Sequence, residues 1–147
     1  MFFFYRILIN LVLFLSPIII LIRLLQKKED PIRFKEKLGF HSKKKLNGKL
    51  IWFHGASVGE ILSVIPLIEK LEKNKEIRQI LITSNTLSSS KILSKLKLKK
   101  TIHQFFPIDT SYNTNKFLGY WDPSMAIFID SEIWPNMITN IKKNSIS

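Results

Sequence analysis

From residue 49 onward the chain alternates short, almost wholly apolar runs with longer stretches in which apolar residues recur at helical spacing. "KLIWFH" (49–54), "RQILIT" (78–83), "TIHQFFP" (101–107) and "MAIFID" (125–130) read as strands. "EILSVIPLIEKLEKN" (60–74), "SSSKILSKLKLKK" (88–100) and "IWPNMITNIKKN" (133–144) read as helices, the first with Ile61, Val64, Ile65, Ile68 and Leu71 on one side. Pro66 falls inside that helix and predicts a kink, or a helix that effectively begins later. Strands without polar alternation must be covered on both faces, and helical crossovers between parallel neighbours achieve this. The expected fold is therefore α/β, a Rossmann-like parallel sheet. Such sheets bind ligands at the carboxyl ends of their strands, which selects four loops: "HGASVGE", "TSNTLSSS", "PIDTSYN" and "DSEIWP".

Ahead of this pattern, residues 7–22 carry no charge and are flanked by Arg6 and Arg23. At about 1.5 Å per residue the run covers roughly 24 Å, so a spanning helix needs snorkelling arginines and the apolar "MFFFY" before it. A secretory signal is not supported, because a basic n-region and a small-residue cleavage site are missing from their places. Pro17 supplies the second reading, a kinked helix lying in one leaflet. Arg23, Lys27, Lys28, Arg33, Lys35 and Lys37 come after the run, and the positive-inside rule places the rest of the chain in the cytoplasm. Three segments result: a membrane anchor helix at 1–25, a basic connector at 26–48 with a short helix around "PIRFKEKLGF", and the α/β domain at 49–147.

Lys+Arg 23 against Asp+Glu 11 gives a net charge of +12, which favours polyanionic partners. Much of the excess lies beside the apolar run, including "KKK" at 43–45, and suits an anionic leaflet. A solvated lysine-rich linker is the plainer alternative. Nucleic acid is not expected as a partner, since the aromatic residues sit in apolar runs and not on a basic face. With no cysteine, disulfides, cysteine nucleophiles and Cys-based zinc sites are excluded.

Each loop admits a functional and a structural reading. "HGASVGE" is neither the dinucleotide fingerprint nor a P-loop. Gly55 and Gly59 suit a tight turn that lets a ligand approach the backbone, and the free amides of the next helix favour an anion. Ser57 and Glu60 equally match the S-x-x-E capping box. A carboxylate at the positive end of a helix suits a general base better than a general acid. His54 is a second candidate base or a satisfied structural histidine. Asp130 and Glu132 form a candidate carboxylate pair, while Ser131 as cap and Glu132 in the first turn also make an ordinary helix start. "TSNTLSSS", with Asn85, suits sugar or phosphate oxygens, or is simply polar.

Taken in order, "FKEKLGF" (34–40), "IWFHGASVGE" (51–60), "ILITSNT" (80–86), "FFPIDTSYNTNKFL" (105–118) and "IDSEIWPNMI" (129–138) resemble the N-terminal part of the bacterial 3-deoxy-D-manno-octulosonic acid (Kdo) transferases. These enzymes transfer Kdo from CMP-Kdo to a lipid A precursor in lipopolysaccharide synthesis. The resemblance implies a GT-B glycosyltransferase whose N-terminal half binds the acceptor. It implies Glu60 as the base that deprotonates the acceptor hydroxyl, with inversion at the anomeric carbon and neither metal nor cofactor. Ser57, Gly59, His54, Asn85, Asp109 and Glu132 are the matching candidates for shaping the acceptor cleft. The implied location is the cytoplasmic face of the bacterial inner membrane, against anionic lipid. One departure is that the family commonly has E-T-E where this chain has Asp130, Ser131 and Glu132, so the role of Asp130 is open. The resemblance also places CMP-Kdo binding in a C-terminal domain that these residues do not contain. The rival expectation is a non-catalytic, membrane-docked acceptor-binding fragment or remnant.

Overall fold

The computed structural model describes residues 2–129 and 132–147. Four strands, β1 (Lys49–His54), β2 (Ile77–Ser84), β3 (Thr101–Phe105) and β4 (Met125–Phe128), form one sheet in the order β3-β2-β1-β4. All pairings are parallel, with Trp52 opposite Leu81 on one side and Ala126 on the other. Helices α2 (Val58–Glu72), α3 (Leu87–Leu93), α4 (Ser111–Trp121) and α5 (Pro135–Lys143) connect or follow the strands. This is the α/β architecture that the alternation of apolar runs predicts.

Strand alternation divides the core in two. Ile51 and Phe53 of β1 pack with Ile61, Ile65 and Ile68 of α2, whereas Leu50 and Trp52 pack with Phe117 and Trp121 of α4 and Met137 of α5. Each such side chain, fully buried, contributes about 1.5–3 kcal/mol by leaving water. Two indole N–H groups find partners inside: Trp52 donates to Thr83 Oγ1 at 2.8 Å and Trp121 to Gln104 Oε1 at 3.0 Å.

The structure departs from the sequence expectation at several boundaries. Helix α2 begins at Val58, not later, and continues through Pro66. Pro66 is exposed, as is Leu62, whose carbonyl loses its helical partner to the proline. Helix α3 stops at Leu93, short of the expected 100. Helix α4 lies where only a loop was expected, capped by Thr110, whose hydroxyl accepts from the Asn113 amide at 3.2 Å. Helix α5 begins at Pro135 with no side-chain cap of its own, so Glu132 is not in its first turn. The Asp130 and Ser131 readings lie outside the described residues.

The connector is stitched to the sheet. Within its short 3-10 helix, Arg33–Leu38, Glu36 is 1% exposed and its carboxylate accepts from both Arg33 Nε and Nη2 at 2.9 Å. The same carboxylate takes the Phe105 amide at 2.8 Å and the Ser42 hydroxyl. Arg33 Nη2 also donates to the His103 carbonyl at 2.8 Å, so the Arg33–Glu36 pair covers the open edge of β3 where another strand would otherwise pair. Gly39 closes the turn at φ 78°, and a Cβ there would lie 2.8 Å from the Asn113 carbonyl oxygen.

The apolar N-terminal run is one helix, α1 (Phe2–Leu25), unbroken at Pro17. Its inner side meets the domain: Tyr5 donates to Asp109 Oδ2 at 2.6 Å, Arg6 Nε to Asn136 Oδ1 at 3.2 Å, and Ser16 and Ile20 are buried. Near its other end Arg23 Nε donates to Glu29 at 2.9 Å, and the buried Glu29 also accepts from Lys37 Nζ at 2.8 Å.

Candidate functional site

Strand order reverses at β1: β2 and β3 build outward on one side, and β4 returns to the other. Crevices at such switch points, beyond the carboxyl ends of the strands, are where open α/β sheets bind ligands. Here the crevice is bordered by the loop from His54 to Glu60 and by Trp134 at the start of α5.

Glu60 stands on the first turn of α2, and its side chain folds back over the loop. Oε2 accepts the Ala56 amide at 2.7 Å and the Ser57 amide at 3.3 Å, while Oε1 accepts the Ser57 hydroxyl at 2.6 Å. Ser57 Oγ in turn accepts the Glu60 amide at 3.4 Å, completing the capping box. Three donors occupy a carboxylate with about four lone-pair sites, and the group is half-buried, so one acceptor position can face a ligand. The two glycines differ. A Cβ on Gly55 would press on Ile61, Glu60 and Ile129 at 3.1–3.4 Å, whereas a Cβ on Gly59 would meet nothing within 4 Å. Gly55 is therefore explained by packing, and Gly59, exposed beside Glu60, leaves open ground.

His54 is fully buried, with its ring stacked on Phe106 at 3.9 Å and Nδ1 3.0 Å from Thr83 Oγ1. It stiffens the floor of the crevice with Phe128 and Trp134 around it. Asp109 is also fully buried. It accepts the Asn136 and Met137 amides at 3.0 and 2.7 Å, together with the Tyr5 hydroxyl. Asp109 thus caps α5 from another loop. Burial pushes its carboxyl above the usual range, and these donors offset part of the shift. Asn85 is half-buried, with its carbonyl 3.5 Å from Lys37 Nζ; Ser57 and Glu132 are exposed.

A cavity of about 300 Å³ lies between α1 and these loops. Ile9, Val12, Phe106, Pro107 and Trp134 give it an apolar wall, and Arg23, Lys37, Asn85 and Asp109 a polar one. Glu60 is not among its lining residues. Sequence reasoning placed Arg23 and Lys37 only within the basic stretch that follows the apolar run, and it pointed towards Trp134 only through the loop "DSEIWP". Among the described residues, no group of three or more His, Asp or Glu side chains converges where a metal would sit.

Fold and site together define a parallel α/β domain with a carboxylate held on a glycine-rich turn at its switch point. Comparison with known proteins makes the class particular: residues 32–147 match the 3-deoxy-D-manno-octulosonic-acid transferase (kdotransferase) family, and the chain belongs to it. The 3-deoxy-D-manno-octulosonic acid transferase of Rickettsia bellii is 43% identical over 126 residues, covering 86% of this chain and 30% of that protein. A probable mitochondrial 3-deoxy-D-manno-octulosonic acid transferase of Arabidopsis thaliana is 36% identical over 116 residues, 79% of this chain and 26% of the relative. The Haemophilus influenzae transferase is 29% identical over 88 residues, 60% of this chain and 21% of the relative. The chain thus spans less than a third of the length of these relatives.

Proposed function

We propose that this chain forms the acceptor-side domain of a Kdo transferase that joins Kdo from CMP-Kdo to a lipid A precursor in lipopolysaccharide synthesis. It works at the cytoplasmic face of the inner membrane. Glu60 removes the proton of the acceptor hydroxyl as that oxygen bonds to the anomeric carbon of Kdo. The bond from that carbon to the CMP phosphate breaks, CMP departs with the electron pair, and the configuration inverts. CMP-Kdo is held by a further domain that these residues do not supply.

The observation that carries this reading is the position of Glu60: a half-buried carboxylate, fixed by two amides and a hydroxyl, at the switch point of a domain in this family. A general base requires such positioning within reach of its proton. Gly59 leaves the approach clear. Asn85, Ser57 and Glu132 offer polar contacts around the acceptor, while His54 and Asp109 position the walls. The cavity beside α1 offers an apolar wall for a lipid acceptor and two cations near its phosphates.

The test is to join this chain in frame to the part of the Rickettsia bellii relative with which it does not align. The fusion is then supplied with CMP-Kdo and lipid A precursor, and the product anomer is read by NMR. A Kdo-bearing product of inverted configuration is expected. A folded, CMP-Kdo-binding fusion that yields no product, or a retained configuration, contradicts the proposal.

A further inference from the structure

A second cavity, of about 250 Å³, opens at the β3 edge of the sheet, between α3, β3 and the connector. It shares no lining residue with the cavity beside Trp134, and β2 separates β3 from the switch point at β1. Leu93, Leu96 and Ile102 give it an apolar wall, and Arg33, Lys43 and Ser90 a polar one. Among the described residues that line it there is no carboxylate. Two carboxylates nearby are turned elsewhere. Glu36 is taken up by Arg33, Ser42 and the Phe105 amide, and Glu72 by the Lys99 and Lys100 amides and the Thr101 hydroxyl. The wall segment 91–100 carries Lys91, Lys95, Lys97, Lys99 and Lys100 with no acidic residue, so the field over the mouth is positive.

The polar wall keeps donors in reserve. Arg33 gives its Nε and Nη2 hydrogens to Glu36 and His103, and Nη1 gives one to Ser90 Oγ at 2.9 Å, so a second Nη1 hydrogen is left over. Ser90 accepts that bond and retains its own hydroxyl hydrogen. A guanidinium only donates, so His103 Nδ1, 3.0 Å from Nη2, accepts, and the ring hydrogen sits on Nε2 towards Ser84 Oγ at 2.8 Å. His103 is therefore a neutral wall. The exposed Lys43 ammonium supplies the free charge, and it lies close enough to oppose protonation of His103.

We propose that this cavity binds a small phosphate monoester, with its phosphoryl oxygens on Lys43, Arg33 Nη1 and the Ser90 hydroxyl and its organic body against Leu93, Leu96 and Ile102. A compact anion with several acceptor oxygens matches an ammonium, a guanidinium and a hydroxyl that all donate. The apolar wall favours an ester over bare phosphate, and the volume, below the roughly 300 Å³ at which drug-sized pockets begin, limits the body to about one ring. The site stands apart from the sugar-transfer reading and does not depend on it.

The full chain, in a nonionic detergent, is titrated calorimetrically with phenyl phosphate and, in parallel, with inorganic phosphate. Saturable binding of phenyl phosphate is expected, tighter than that of inorganic phosphate. Lys43→Gln, at an exposed position, should weaken it by about tenfold or more, the weight of a hydrogen bond to a charged group. Lys142→Gln removes the same charge from α5, away from the cavity, and should leave the affinity unchanged. The proposal is overturned by an absence of saturable binding, by equal weakening in the two variants, or by inorganic phosphate binding as tightly as the ester.

Discussion

The connector around Glu36 and the loop around Glu60 each hold one glutamate that accepts backbone and hydroxyl donors, and the two are built for opposite ends. Glu36 draws its partners from residues 33, 42 and 105, is sealed from solvent and joins the connector to the edge of the sheet. Glu60 is held by residues 56 and 57 of its own loop and remains half-exposed at the crevice. A carboxylate saturated from distant elements is a structural rivet. One held by its own turn stays oriented and keeps room for a ligand.

Perturbing the two regions sharpens this contrast. The largest effect is expected at Glu36: Glu36→Ala leaves Arg33, the Phe105 amide and the Ser42 hydroxyl without their acceptor, costing about 3–5 kcal/mol in chemical denaturation. A loss below about 1 kcal/mol would dissolve the distinction.

Next is His103, against the connector, whose ring burial together with the charges of Arg33 and Lys43 pushes it down to about 3. The unfolded chain binds that proton near pH 6.5 while the fold excludes it. Stability contributed by His103 is therefore present above about 6.5 and lost as pH falls towards 3, by up to about 1.4 kcal/mol per unit. Asp109, pushed up by burial, works in the other direction, losing stability as pH rises through its folded value. A His103→Gln variant should flatten the slope between pH 6.5 and about 4 in pH-dependent melting.

Smaller changes are expected at the crevice. Gly59→Ala meets nothing and replaces a poor helix former, so stability should hold or rise by up to about 1 kcal/mol. Acceptor turnover by the joined enzyme should nonetheless fall if that space admits the ligand. Unchanged turnover would remove Gly59 from the site.

The same contrast explains what the sequence revealed. The strand pattern from Leu50 to Ile82 was legible because consecutive apolar residues must be covered, and the Ser57–Glu60 box because capping acts within four residues. Helix α4 was hidden by a first turn of Ser111, Asn113 and Thr114, whose side chains also favour loops; Phe117, Leu118 and Trp121 on its buried side were the available signal. The Asp109 cap on α5, the sealed Glu36 and the pairing of Glu29 with Arg23 and Lys37 join residues distant in sequence or partners no local pattern specifies. Lysine-rich spacing suited an anionic leaflet or a solvated linker, and it gave no sign of the long-range bonds that tie Arg33 and Glu36 of the connector to β3.

The most direct measurement is the rate of Kdo transfer by the joined enzyme carrying Glu60→Gln, compared with the unchanged enzyme at equal folded fraction. Glutamine keeps an oxygen for the Ala56 and Ser57 donors, so melting should move by no more than the worth of one cap, about 1 kcal/mol. Transfer should fall by roughly 10²–10⁴-fold, the contribution of a general base. Near-normal transfer at normal stability would contradict the account and leave Glu60 as a helix cap alone.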